Sequence, residues 1–240
     1  MTELLTPGNL TCALAVLVGA CIQGTGGIGF AMFAAPIVAL IQPELVPGPM
    51  LVLGGAVSAL AAAREYRQID YRAAAIALAG RVPGSVLAGL VIGVMSRAAF
   101  SFMFALMILT AVVLSSLAPR VEARPAMLGV AGFASGFMGT ITSVGTPPMG
   151  LVLQSAEPAR LRATIGLFLA VGCVISLVVL AVAGRFHWHE FSLSLFLLPA
   201  MALGFAISTP LKGWIKPRAM RHAVLGISAL SAMLLLLRPS

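Results

Sequence analysis

Apolar residues in this chain come in long runs, and the breaks between the runs set its plan. Leu10–Ile22 leads into Gln23-Gly24-Thr25-Gly26-Gly27-Ile28-Gly29, and the apolar pattern resumes over Ile28–Ile41. Past the polar Gln42-Pro43-Glu44 come Pro47–Ala63, the link Arg64–Arg72, Ala73–Met95, a minimal break at Ser96-Arg97, and Ala98–Ala118. Pro119–Pro125 then opens a second set. It holds Ala126–Met138, the stretch Gly139-Thr140-Ile141-Thr142-Ser143-Val144-Gly145-Thr146-Pro147-Pro148, Met149–Ala156, and the link Glu157–Arg162. Ala163–Ala183, Phe191–Leu211 and Ala223–Leu237 follow, separated by Gly184–Glu190 and Lys212–His222.

The unbroken runs lie near the roughly 17 residues a membrane helix needs, and lipid permits little besides helix. Those beside the two glycine-rich stretches are too short to cross comfortably. They predict hairpins that enter the membrane and return. The expected fold is an all-α integral membrane protein in two halves, each a glycine-rich re-entrant hairpin plus three transmembrane helices. Residues 1–118 form the first half, 119–125 a cytoplasmic linker and 126–240 the second half, within one membrane domain.

Composition agrees. Apolar residues make up 60% and charged residues 9% of the 240, with mean hydropathy +1.07. Soluble domains carry about 25% charged residues. The net charge of +8 is spread over short links, which is a topology signal and not a nucleic-acid footprint. With both hairpins re-entrant, one side collects Arg64, Arg67, Arg72, Arg120, Arg124, Arg160, Arg162, Lys212, Lys216, Arg218 and Arg221. The other keeps Arg97, Arg185 and Arg238. Eleven against three places the first set in the cytoplasm and both termini outside the cytoplasmic membrane. Met1–Asn9 holds no Lys or Arg, so no cleaved leader with a basic start is expected.

An odd number of crossings per half means that the halves insert in opposite senses. Ile69-Asp70-Tyr71-Arg72 has its counterpart in Phe186-His187-Trp188-His189, 117 residues on, and Pro83 has its counterpart in Pro199, 116 residues on. An inverted repeat with Gly/Pro-interrupted apolar segments at matching places points to a binding site between the two interruptions, near the midplane.

The residue types there suit an anion. Helix N-termini offer unpaired N–H groups and partial positive charge, and glycine lets that backbone come close. The candidate contacts are Gln23, Gly24, Thr25, Gly26 and Gly27 in the first tip. In the second they are Gly139, Thr140, Thr142, Ser143, Gly145, Thr146 and Pro147. Gly26 and Gly27 are expected to open the returning arm of hairpin one, and Gly145 and Thr146 that of hairpin two. Glycine serving close helix packing alone is the competing account.

Arg81 is the one charged side chain well inside an apolar run, and its repeat counterpart is Leu197. Two roles stand open for it: an anion-attracting site in the pathway, or an arginine snorkelling to the interface. His187-Trp188-His189 reads as an interfacial aromatic belt, since two histidines without a third ligand make a poor metal site. Cys12, Cys21 and Cys173 sit singly, as small core residues. Ser58, Ser85 and the pairs Gly80/Gly84 and Gly89/Gly93 fit helix packing. No Asp or Glu lies within a run, which leaves a carboxylate proton relay without a candidate. No phosphate-binding loop, metal set or nucleophile–base pair is present, so neither a cofactor nor enzyme activity is expected. An intramembrane enzyme or a non-transporting subunit is the alternative to a transporter. A purely structural subunit would not need two polar tips.

The two tips, Gly24 to Gly29 with Pro36 and Gly139 to Pro148, resemble those of the sulfite exporter TauE/SafE (TSUP) permeases. So does the Ile69-Asp70-Tyr71 link with the Pro83-Gly84 run behind it. The resemblance covers nearly the whole chain. It implies secondary transport of a small anion such as sulfite, thiosulfate, an organosulfonate or a small carboxylate. Many relatives carry a glycine triplet where this chain has Ile141-Thr142-Ser143, so the substrate does not transfer from any one of them. The expected partners are that anion, the bilayer and, as an alternative to a monomer, a second copy of the chain.

Overall fold

The computed structural model describes residues 6–27, 29–117, 121–211 and 217–237, with backbone only for 217–219. Ile28, Arg120, Lys212, Lys216, Arg238 and the Arg218 side chain, which entered the argument above, lie outside the described residues. Among these residues there are ten α-helices and no strands. In the first half they are α1 (Pro7–Gly26), α2 (Phe30–Ile41), α3 (Gly48–Arg64), α4 (Tyr71–Val94) and α5 (Arg97–Leu117). The second half has α6 (Pro125–Thr142), α7 (Thr146–Leu153), α8 (Pro158–Val182), α9 (Trp188–Leu211) and α10 (Pro217–Leu237).

Helix boundaries follow local chemistry. The Thr6 hydroxyl accepts from Asn9 N–H at 3.3 Å, and Pro7 fills the first position of α1, where no N–H is needed. Asp70 caps α4 by accepting from Ala73 N–H at 2.9 Å. Gly27 (φ 78°) and Ser143 (φ 65°) end α1 and α6 in the left-handed region, each donating its N–H back to the carbonyl four residues earlier. These two caps lie 116 residues apart.

One expectation is corrected here. Seven helices, α1, α4, α5, α6, α8, α9 and α10, are long and apolar enough to cross a membrane. They include α1 and α6, expected to dip only part of the way. Their 20 and 18 residues reach about 30 and 27 Å. The reason is that Gln23–Gly26 and Gly139–Thr142 continue the helix instead of leaving it. Packing outweighs the roughly 1 kcal/mol that an interior glycine costs. Only the return arms are short, with 12 residues in α2 and 8 in α7. α3, read as a full crossing, has 17.

The two halves pack on each other reciprocally. α1 lies on α9 as α6 lies on α4, α2 meets α10 as α7 meets α5, and α3–α8 and α5–α10 pair directly. Gly166 of α8 faces Ser58 and Ala62 of α3, whereas Gly55 of α3 faces Cys173 and Ala170. The central pair therefore runs antiparallel. α4 and α6 run parallel, with Gly132 on the Ala77 carbonyl and Gly136 on that of Arg81. Added Cβ atoms at Gly80, Gly84, Gly132 or Gly136 would overlap the facing backbone, so these glycines do serve close packing. At Gly89 an added Cβ would overlap the Val179 side chain, whereas at Gly93 it would meet nothing within 4 Å, so close packing does not account for that glycine.

Polarity is inverted relative to a soluble protein. Large exposed side chains are apolar, Leu90, Val94, Phe102, Val130, Val182 and Leu230 among them, whereas Ser58, Ser85, Ser135, Ser176, Ser208 and Ser228 are buried. Lipid covers the former, and the latter bond across or along helices.

Candidate functional site

The second tip closes around a charge. Arg81 lies ten residues into α4, about 15 Å along its axis, and only 1% of it is exposed. It does not snorkel. Nη1 donates to the Ser135 hydroxyl of α6 at 2.9 Å, Nη2 makes a long 3.4 Å contact with Ser176 of α8, and Nε has no partner. The guanidinium carbon stands 5.1 Å from the centre of the Phe168 ring. No carboxylate pairs with it among the described residues.

Four glycines make room for this side chain. A Cβ at Gly139 or Gly145 would stand 3.1 Å from Nη2 or 3.0 Å from Nη1, and at Gly172 it would overlap Nε. At Gly136 it would crowd the Arg81 backbone and stem. Ser135 passes its own proton to the Gly145 carbonyl, at the start of α7. Thr140 and Ser176 share a 2.8 Å hydrogen bond. Thr142 donates to the Met138 carbonyl (2.7 Å) and accepts from Val144 N–H (3.1 Å), bracing the turn. Gly145 and Thr146 do open the returning arm, as expected. However, Pro147 and Pro148 remove two of the N–H groups that a helix start normally offers.

The first tip is tied off by its own neighbours. Gln23, 2% exposed, donates to the Ser58 hydroxyl at 2.9 Å and accepts from Phe30 N–H at 3.1 Å, so its amide joins α1, α2 and α3. The Thr25 hydroxyl bonds back to the Cys21 and Ile22 carbonyls. Arg64, at the end of α3, reaches the Gly24 and Phe205 carbonyls and the Ser208 and Thr209 hydroxyls, and lies 3.7 Å over the Phe205 ring. Gly27 packs on the stem of Arg162, whose guanidinium forms a bidentate pair with Glu65 at 2.6 and 3.0 Å. Gly26 is the last residue of α1 and the return arm starts only at Phe30, which corrects the expectation that Gly26 and Gly27 open it.

The tips do not meet end to end. The first is held by Ser58 and Arg64, in the last turns of α3, and Ser143 of the second donates to the Pro47 carbonyl, before the first turn (3.0 Å). What brings them together is a cavity of about 340 Å³ lined by Gly26 and Gly29 from one tip and Thr146, Pro147 and Gly150 from the other. Arg221, which donates to the Ser115 carbonyl, stands in its wall. Thr146 faces this cavity while the preceding Gly145 touches Arg81. Consecutive residues at the start of α7 thus contact the guanidinium and the cavity.

Elsewhere the assignments are plainer. Trp188 is exposed at the start of α9 and stacks on Phe191 with ring centres 5.4 Å apart, and His187 meets Glu190 at 3.7 Å. No His/Cys/Asp/Glu cluster suited to a metal occurs among the described residues. Sequence reasoning missed Ser135, Gly136, Phe168, Gly172 and Ser176. Each lies within an apolar run, and a helical wheel centred on Arg81 says nothing about which of α6 and α8 would face it.

The family model of sulfite exporter TauE/SafE matches residues 12–235. This chain belongs to that family, a family of multi-pass membrane permeases, and is a membrane transporter. No curated protein and no solved structure matches it.

Proposed function

We propose that this chain is a secondary permease for a small anion, moved across the cytoplasmic membrane by alternating access. Sulfite, thiosulfate, an organosulfonate or a small carboxylate are the candidates. The observation that carries this is Arg81, a buried guanidinium with an unpartnered Nε and no acid beside it. Arginine stays charged in proteins, and an uncompensated charge at mid-depth costs about 3 kcal/mol or more. A site that keeps such a charge ready recovers that cost when an anion arrives. The repeat counterpart, Leu197, is equally buried, so the architecture manages without a cation at this position.

The antiparallel α3–α8 pair and the reciprocal helix contacts support an inverted repeat. The cavity wall includes Gln154, Leu161 and Arg221, in or beside the arginine-rich links, which the positive-inside rule assigns to the cytoplasm. Rocking of α7, with Gly145 as its hinge, would open Arg81 to this cavity. The membrane potential can drive the cycle, since one charge is worth about 2.3 kcal/mol per 100 mV. No hydrolytic or redox step is invoked, and the protein acts without enzymatic chemistry.

The test is anion binding and proteoliposome flux of Arg81→Leu. Both should vanish, with affinity reduced by about a hundredfold or more, while the ligand-free protein melts no lower than the wild type because no ion pair is broken. Normal flux in this variant would sink the proposal. Orientation has its own check. Single cysteines at Gln68 and Trp188 should be labelled from opposite faces, and labelling from one face would rule the inverted arrangement out.

A further inference from the structure

We infer that the Arg81 site selects a singly charged oxyanion, discriminating against dianions by charge and against halides by hydrogen-bond geometry. This rests on the proposal that Arg81 binds the transported anion and narrows its candidates: thiosulfate, a dianion, drops out, and sulfite fits only as hydrogen sulfite.

The charge selection follows from what surrounds the guanidinium. Its neighbours are Ser135, Thr140, Ser176, Phe168, Cys173 and the backbone of Gly136, Gly139, Gly145 and Gly172. None of these is a second cation. Arg64, the next arginine held against a tip, already bonds two carbonyls and two hydroxyls at the far end of α3. Arg162 is neutralised by Glu65, and Arg221 is turned to the Ser115 carbonyl. One fixed positive charge in a dry site balances one negative charge. A dianion would leave a net negative charge buried, and that is the costly state.

The geometric selection follows from the donors left over. A guanidinium carries five N–H donors in a plane. Here Ser135 takes one, Ser176 a second at long range, and Nε is unspent. Nε and Nη2 share the side-on edge of the fork, which matches two oxygens of one oxyanion. The Ser176 hydroxyl stands on the Nη2 side with Thr140 bonded to it; one proton of the pair is spent between them, and the other can serve a third oxygen. A spherical halide uses such a planar fork poorly.

The experiment uses three probes of defined charge and shape on the detergent-purified full chain, read by calorimetry and by competition in proteoliposomes. They are methanesulfonate (monoanion), sulfate (dianion of similar size) and chloride. Methanesulfonate should bind about tenfold or more tighter than either of the others. Arg81→Lys keeps the charge and loses the fork. It should retain weak binding but bring methanesulfonate and chloride within about threefold of each other. Sulfate binding as tightly as methanesulfonate would overturn the charge selection. Chloride binding as tightly would overturn the geometric one, and in both cases the anion permease itself would stand. If no probe binds and none competes, this inference falls, and the anion-permease proposal is decided separately by the Arg81→Leu flux assay. The wild-type series is decisive even if the lysine variant does not fold.

Discussion

The two tips occupy matching places 116 residues apart and use the same helix ending, yet they spend their polar groups in opposite ways. In the first, the Gln23 amide is consumed by Ser58 and Phe30 N–H, the Thr25 hydroxyl by its own helix, and the Gly24 carbonyl by Arg64. In the second, hydroxyls from α6 and α8 converge on a guanidinium that still has a donor to give. The left-handed cap is a glycine in the first and a serine in the second, where the side chain is used to reach Pro47. The two tips share one frame, a helix closed by a left-handed residue and followed by a short return arm. The first tip is latched by Arg64 and the Glu65–Arg162 pair, whereas the second closes on Arg81, a side chain of α4 in the first half. A symmetric sandwich, with an anion gripped equally by both tips, does not describe this arrangement.

The contrast can be broken most forcefully at Gly172. Gly172→Val places its side chain on Nε of Arg81 and should abolish anion binding, by about a hundredfold or more. On α3, which pairs with α8, a Cβ added at Gly54 would stand 3.6 Å from the Phe30 ring, an ordinary contact, so Gly54→Ala should change affinity by less than about threefold. Calorimetry on folded, purified variants separates the two, and equal losses would return the site to a symmetric model.

A smaller effect of a different kind is expected at Gly27. Its φ of 78° and its contact with Arg162 make Gly27→Ala destabilising by about 1–2 kcal/mol. Thermal melts should fall while affinity measured below the transition holds. A large loss of affinity without loss of stability would mean that the first tip touches the anion after all.

The mildest substitution is Thr146→Ala, which removes the hydroxyl of a residue lining the cavity. It should cost binding roughly 0.5–1.5 kcal/mol, less than about a tenfold change. Thr142→Ala should instead lower stability by a similar amount with affinity kept, because that hydroxyl braces the turn between Met138 and Val144. Exchange of the two outcomes would assign the binding role to Thr142 and the bracing role to Thr146.

Much of this protein was settled by its sequence. The apolar runs and their breaks dictate membrane helices, because a bilayer leaves the backbone no other way to satisfy its polar groups. The paired Gly/Pro interruptions and the Pro83–Pro199 register predict an inverted repeat, and Arg81 is visible as a charge out of place. Other features belong to tertiary structure. That α1 and α6 continue through their glycines was decided by packing against α9 and α4, which outweighs intrinsic propensity. That Arg81 points inward, onto Ser135 and between Gly139, Gly145 and Gly172, depends on how α4, α6 and α8 rotate against one another. Sequence periodicity reports which residues share a face of one helix. It carries no register between helices, and the unequal roles of the two tips arise from that register.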